Sequence, residues 1–167
     1  MIHLSVNVKI KDIKDDEFDA VVKSVSKSEI RALSKSWKFN WLALYTKKGK
    51  FYQIQYDNEV QGLIKLEEEN DSYFVLKNIE VSPSNYGKKG RYKNIAEILM
   101  SYACLKSFEL NTGNYKGYLV FTSKGELIEY YQTKYQAQLI FRERMMIEPQ
   151  QGKELILNNL KIDLTDE

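Results

Sequence analysis

The chain has 167 residues and a mass of 19.6 kDa, the size of one domain with enough length to bury a sizeable core. Hydrophobic residues make up 43% and charged residues 29%, which excludes a disordered chain, and no apolar run approaches the ~20 residues of a membrane-spanning helix. The formal charge of +2 is too small to name nucleic acid as a partner, and a lone histidine (His3) with a lone cysteine (Cys104) excludes an internal disulfide and a zinc site of the usual ligand types.

The opening stretch has neither the continuous apolar core nor the small-residue cleavage site of a secretory leader, so none is expected. With a single unpaired cysteine, this predicts a cytoplasmic location. Ile2, Leu4, Val6, Val8 and Ile10 alternate strictly and predict a half-buried first strand. Phe18, Val21, Val22 and Val25 follow helical spacing, and the phase resumes after Ser26–Ser28 with Ile30, Leu33 and Trp37, predicting a broken helix or two short ones. Residues 41–46 read as a second strand. Residues 51–56 and 60–66 flank Asp57-Asn58-Glu59 as a hairpin, and residues 73–81 form a further strand stopped by Pro83.

A glycine-containing loop over 82–94 precedes a long helix carrying Ile95, Ile98, Leu99, Tyr102 and Leu105, with a terminator at Asn111–Asn114. Residues 118–122 form a short strand. Ser123-Lys124-Gly125-Glu126 has the capping-box form and is expected to open a helix through Tyr135. Residues 138–141 and 144–147 read as late strands and 151–160 as a terminal helix. No linker or repeat interrupts the chain, so residues 1–167 are expected to form one domain. An antiparallel first half turning into a β-α-β-α-β second half predicts an α/β (α+β) fold, a mixed sheet covered by helices.

The stretch that carries chemistry is strand 73–81, the loop, and the helix that follows. A strand feeding a loop and a helix N-terminus offers free backbone N–H groups and the positive end of a helix dipole to an anion, and Lys88, Lys89, Arg91 and Lys93 add charge there. The same features also fit a solvated basic loop with no ligand. The loop has neither G-x-x-x-x-G-K-[ST] nor G-x-G-x-x-G, which excludes a P-loop and leaves a dinucleotide fold unsupported.

Strand, loop, helix and element order over about residues 40–148 resemble the GNAT (GCN5-related) N-acetyltransferases, whose [Q/R]-x-x-G-x-[G/A] turn cradles the pyrophosphate of acetyl-CoA. Arg91-Tyr92-Lys93-Asn94-Ile95-Ala96 is the best match. Asn94 stands where glycine is usual, and asparagine is the non-glycine residue that best tolerates left-handed backbone angles. Residues 127–135 resemble the family's penultimate helix. Tyr131 falls on the family's tyrosine, and Gln136-Ala137 replace its Gly-Phe.

The resemblance implies a GNAT-like, mostly antiparallel central sheet flanked by helices. It also implies acetyl transfer from acetyl-CoA, as co-substrate and without a metal, to a primary amine of a small molecule or peptide, by direct attack in a ternary complex. Tyr131 would protonate the leaving CoA thiolate, and Glu80 would serve as base on the incoming ammonium, directly or through water. Ile79, Val81, Arg91, Tyr92, Lys93, Asn94, Ile95, Ala96 and Lys124 would bind the cofactor. The backbone N–H of Val81 would polarise the thioester carbonyl. No membrane is implied, and a homodimer is left open because dimers are common in the family.

Beside each role stands a plainer one. Tyr131 is one of 12 tyrosines and would serve as a core residue; Glu80 would serve as a surface-facing strand position. Cys104 reads as a buried structural thiol. Trp37, Phe39, Trp41, Tyr45, Phe51 and Tyr52 read as core, with some rings free to shape an acceptor pocket. Two other functions stay open: a CoA-binding domain without catalysis that acts through a protein partner, and single-stranded nucleic-acid binding by basic residues interleaved with Tyr86 and Tyr92. The near-neutral net charge argues against the second.

Overall fold

A computed structural model of the chain describes residues 2–110 and 114–165. Its elements are β1 (Ser5–Lys11), β2 (Glu17–Ser24), α1 (Lys27–Arg31), α2 (Trp41–Leu44), β3 (Lys50–Tyr56), β4 (Glu59–Glu69), β5 (Tyr73–Val81), α3 (Ile95–Ser107), β6 (Leu119–Thr122), α4 (Ile128–Tyr135), β7 (Gln138–Phe141), β8 (Arg144–Ile147) and α5 (Pro149–Leu160). The strands hydrogen-bond in the order β1-β2-β3-β4-β5-β6-β8-β7. The sheet is mostly antiparallel, as expected. Strands β5 and β6 pair in parallel, as a strand–helix–strand crossover through α3 requires.

The described residues fall into two compact units. The first comprises Ile2–Lys65 and Asn78–Leu99, the second Leu66–Lys77 and the chain from Met100. Strands β4 and β5 and helix α3 pass from one into the other.

In the first unit, Val6, Val8 and Ile10 of β1 and Ala20 and Val22 of β2 are buried, and a cluster of Val25, Ile30, Trp41, Phe51 and Leu63 fills the space beneath α1 and α2. Gly62 of β4 lets α3 come close: a Cβ there would lie 2.7 Å from Ile95 Cγ2 and 2.8 Å from Leu99 Cδ1. In the second unit the later turns of α3 (Tyr102, Ala103, Cys104, Leu105), Leu119 and Phe121 of β6, Met145 and Ile147 of β8 and Ile156 and Leu160 of α5 form the core.

Four local expectations are corrected. Residues 17–24 are a strand rather than a helix. Ala20 and Val22 face inward in alternation, and β2 pairs on one side with β1 (Val22 with Val6) and on the other with β3 (Val22 with Ile54), so two ladders override the helical spacing. The helix starts only at Lys27, where Ser26 and Glu29 form a capping box. Residues 41–44 are a helical turn rather than a strand, because the Asn40 side chain caps it by accepting from the Ala43 N–H (3.1 Å). Ile2 and Leu4 precede β1 and are exposed, at 66% and 83%.

The fourth correction concerns Ser123. Its hydroxyl donates to the Lys124 carbonyl instead of capping, a 3-10 turn over Gly125–Leu127 intervenes, and α4 starts at Ile128. The expected terminator of α3 falls largely on residues 111–113, outside the described residues.

Candidate active site

Strand β5 ends in Ile79-Glu80-Val81, and its last ladder bond fixes the direction of the groups beyond it. The Ser82 N–H donates to the Gln61 carbonyl of β4 at 2.8 Å. Amides alternate along a strand, so the Val81 N–H turns to the other edge of β5. On that edge the ladder to β6 covers Phe74, Val75 and Leu76, well before Val81.

The loop after β5 is wound on Asn85, which is buried. Its Nδ2 donates to Gln61 (carbonyl and Oε1, both 3.1 Å) and to Ser82 Oγ (3.2 Å), while its Oδ1 accepts from the Tyr92 N–H (3.0 Å). Gly90 packs against it so tightly that a Cβ would lie 2.5 Å from the Asn85 carbonyl oxygen. The Arg91 N–H goes to the Ser84 carbonyl (2.9 Å) and the Lys93 N–H to the Lys11 carbonyl of β1 (2.9 Å).

The backbone donors of Arg91, Tyr92 and Lys93 are therefore committed within the protein. The N–H groups of Ile95 and Ala96 precede the first bond into α3, from the Ile98 N–H to the Asn94 carbonyl (3.2 Å), and lie at the positive end of the helix. Arg91 and Lys93 are exposed and pair with Glu59 (3.9 Å) and Asp15 respectively. Tyr92 is buried, its ring edge-on to Phe18 and Tyr56.

Asn94 does not take the left-handed conformation expected of a glycine substitute. Its side chain instead closes a gap in the edge of β1: Oδ1 accepts from the Lys11 N–H (2.8 Å) and Nδ2 donates to the Lys9 carbonyl (3.0 Å).

Glu80 is not surface-facing. Its residue is 7% exposed, and its carboxylate accepts four hydrogen bonds: Oε1 from the Phe39 N–H (3.1 Å) and Trp41 Nε1–H (2.9 Å), Oε2 from the Lys38 N–H (2.7 Å) and the Tyr86 hydroxyl. Burial alone would push this carboxyl up. The donors from Tyr86, Lys38, Trp41 and Phe39 together outweigh it and hold Glu80 below the ordinary carboxylate range. The Tyr86 phenol is pushed up to about 12, by burial first and then by its bond to Glu80. This is a poor setting for the base expected at Glu80, since a base needs an open lone pair and a raised pKa.

Sequence reasoning missed the partners of Glu80 because three of the four, Lys38, Phe39 and Trp41, lie about forty residues upstream in the chain, and the fourth, Tyr86, lies beyond Pro83 in the following loop. The available signal was an acid set between Ile79 and Val81 near the end of the strand, a position that demands donors if it is buried.

The segment that Glu80 holds borders a cleft of about 570 Å³ lined by Glu29, Leu33, Trp37, Glu59, Pro83 and Ser84 among others. A second cleft, of about 480 Å³, lies along Ile30–Leu42.

Tyr131 and Lys124 belong to the second unit. The Tyr131 ring stands edge-on to Phe121 (centroids 5.0 Å apart) and Tyr130 (5.3 Å) and lies near-parallel to Tyr135 (6.0 Å). Burial, with the neighbouring Tyr130, raises its phenol above the ordinary value, so it holds its proton at neutral pH. Helix α4 ends at Gln136, which is left-handed (φ 53°) and donates its N–H to the Tyr131 carbonyl. Gln136 thus takes the backbone conformation that a glycine would take most easily. Lys124 is exposed at the start of the 3-10 turn.

No protein-family model and no curated protein sequence matches the chain. Solved structures do match in fold. A tyrosine-to-phenylalanine mutant of the AtaT toxin, bound to the C-terminus of the antitoxin AtaR and acetyl-CoA, aligns at TM-score 0.53 with 11% identity over 82% of this chain and 98% of that one. The KacTA–DNA complex aligns at 0.54 with 10% identity over 72% and 80%. A spermidine N-acetyltransferase chimera, from SpeG of Vibrio cholerae and hSSAT, aligns at 0.51 with 13% identity over 80% and 98%.

Proposed function

We propose, from the premise that the chain has the GNAT acetyltransferase fold, that it is a single N-acetyltransferase module using acetyl-CoA and a primary amine carried by a small molecule or peptide. The observation that carries this reading is the end of β5. The Val81 amide is turned out of the β4 ladder, beside a stiff loop that delivers the open first turn of α3. That combination offers one donor to a thioester carbonyl and several to a pyrophosphate.

In this reading Ile79 and Val81 flank the pantetheine arm, the amides from Asn94 through Ala96 face the phosphates, and Arg91, Lys93 and Lys124 contribute side-chain charge. Tyr92 supports the loop from beneath. The amine nitrogen attacks the acetyl carbonyl, the C–N bond forms as the C–S bond breaks, and the Tyr131 phenol gives its proton to the departing thiolate. One proton of the incoming ammonium leaves to water before attack, and a second leaves the nitrogen as the amide forms, which balances the proton Tyr131 gives up and regains from solvent. Holding both substrates in one orientation supplies much of the rate.

The test is a thermal shift with acetyl-CoA, CoA, ATP and an oligonucleotide in parallel, followed by CoA release with an amine panel. Ligand at about 100 times its Kd adds about 2.7 kcal/mol, which raises the midpoint by roughly 5–10 °C in a chain of this size. A shift with both CoA species and none with ATP supports the reading. No shift with acetyl-CoA removes it. The oligonucleotide arm is included because one fold neighbour was solved with DNA.

A second reading, a CoA-binding domain that acts through a protein partner without turnover, draws on the saturated carboxylate of Glu80. It predicts the CoA shifts with no CoA release from any amine.

A further inference from the structure

Glu80 touches more of the fold than a strand acid needs to. Three of its four donors, the N–H groups of Lys38 and Phe39 and the indole of Trp41, come from one short stretch that leads into the first residue of α2. The fourth is the Tyr86 hydroxyl, on the far side of Pro83 in the loop that follows β5. The Lys38 ammonium in turn lies 4.8 Å over the Tyr86 ring. Trp37, one residue before the clamped stretch, lines the cleft of about 570 Å³, and so do Pro83 and Ser84, just before Tyr86.

A carboxylate has about four lone-pair sites. All are taken here, so no acceptor remains for an ammonium or a water proton, and the lowered pKa of the group agrees with that.

We infer that Glu80 is a positioning residue rather than the base: its carboxylate clamps residues 38–41 to Tyr86 and thereby sets the width of the cleft that receives the acceptor. The identification of the cleft's ligand as an acceptor amine rests on the acetyltransferase reading; the clamp itself does not. Two carboxylates, Glu29 and Glu59, line this cleft with Trp37, Leu33 and Pro83 as apolar walls; Glu29 accepts from the uncharged Gln53 amide and Ser26 N–H, and Glu59 meets the exposed Arg91 at 3.9 Å, a contact an ammonium can replace. The matching acceptor is a cationic amine with an apolar stem.

The deciding variant is Glu80→Gln, which keeps the shape but presents an NH2 to donors that need an acceptor. Tyr86→Phe is the milder companion, removing one donor of the four. Three measurements are made on the full chain: amide hydrogen exchange at Lys38 and Phe39, acetyl-CoA affinity by calorimetry, and steady-state kinetics from pH 6 to 10 with spermidine and a lysine-containing peptide as probes.

The clamp predicts exchange at Lys38 and Phe39 about tenfold or more faster in Glu80→Gln and a smaller increase in Tyr86→Phe. It also predicts unchanged acetyl-CoA affinity, acceptor KM raised about tenfold, kcat within a few-fold, and the ionisation limb of the pH profile in place. A kcat loss of about 100-fold or more at unchanged KM, with that limb abolished, would show that Glu80 is the base after all. Unchanged exchange at Lys38 and Phe39 also overturns the clamp. If Glu80→Gln does not fold, Tyr86→Phe carries the exchange and KM readouts alone. If wild-type protein neither binds acetyl-CoA nor releases CoA, the acetyltransferase reading fails while the exchange data still decide the clamp.

Discussion

The Asn94 side chain pairs with the backbone of Lys11 as a missing strand neighbour would, accepting its N–H at 2.8 Å. With the bond from Nδ2 to the Lys9 carbonyl and the Lys93 N–H on the Lys11 carbonyl, it ties the start of α3 to the free edge of β1. The residue in the glycine position of the motif therefore has a structural task of its own. Asn94→Ala should cost about 1–2 kcal/mol in chemical denaturation, for two lost bonds to backbone. Asn94→Gly should cost at least as much and should not tighten acetyl-CoA binding. A gain in CoA affinity in Asn94→Gly would mean that the loop does want a left-handed residue there.

Gly62 makes a sharper prediction because the space beside it is already filled. A methyl group at that position falls within 2.7 Å of Ile95 Cγ2 and 2.8 Å of Leu99 Cδ1, both on buried residues of α3. Gly62→Ala must push the first turns of α3 off the strand, at a cost of about 1–3 kcal/mol. Those turns carry the open amides, so acetyl-CoA affinity should fall together with stability. Thermal melts with and without acetyl-CoA check both effects in one experiment.

The Tyr131 phenol tests the acid step. Burial raises its pKa, so it stays protonated through neutral pH and has a proton to give. Tyr131→Phe keeps the ring that packs on Phe121 and Tyr135 and removes only the hydroxyl. Turnover should fall by about 100-fold with acetyl-CoA affinity unchanged, the size expected for a lost general acid. Wild-type turnover in this variant would assign the proton to another donor.

The lone thiol offers a control on the fold itself. Cys104 is buried in α3, and burial pushes its thiol up to about 12. At pH 8 almost none is thiolate, and the sulfur is out of reach of a reagent. A thiol-reactive chromophore should therefore leave the native protein unlabelled and label it fully in denaturant. Rapid labelling of native protein would mean that this stretch of α3 opens locally.

The strands from Phe51 to Val81 and helix α3 were legible because each carries its own pattern: apolar runs broken by Asp57-Asn58-Glu59 and stopped by Pro83, then i, i+3, i+4 spacing from Ile95. Residues 17–24 misled because Val21, Val22 and Val25 satisfy a helical stripe as well as a strand. Pairing with β1 and β3, a non-local term, decided between them. Trp41–Leu44 misled because four apolar residues fit either state, and the decision came from one cap, Asn40. The loop and the start of α3 at Ile95 were legible from the glycine-containing stretch and the helical spacing that follows it. The surroundings of Glu80 were not, since its four donors come from Lys38, Phe39, Trp41 and Tyr86, and only folding brings them together.

That gathering has a signature in acid. The Glu80 carboxyl is held below its ordinary value in the folded protein: burial opposes ionisation, and four donors more than reverse it. A group whose folded pKa is depressed stabilises the fold at pH above its unfolded pKa, about 4.3 for glutamate, and that contribution is lost as pH falls through the folded value. Glu29 is lowered in the same direction, by Gln53 and the Ser26 backbone N–H, so wild-type stability should decline on acidification with both groups contributing. Glu80→Gln removes one of the two. It should be less stable than wild type at pH 7, and the difference should narrow below about pH 4.5, at no more than about 1.4 kcal/mol per pH unit for a single proton. Urea denaturation of both proteins from pH 3 to 7 measures the gap. A gap that stays constant across that range would mean that the carboxylate charge contributes nothing and that only the shape of the side chain matters to the clamp.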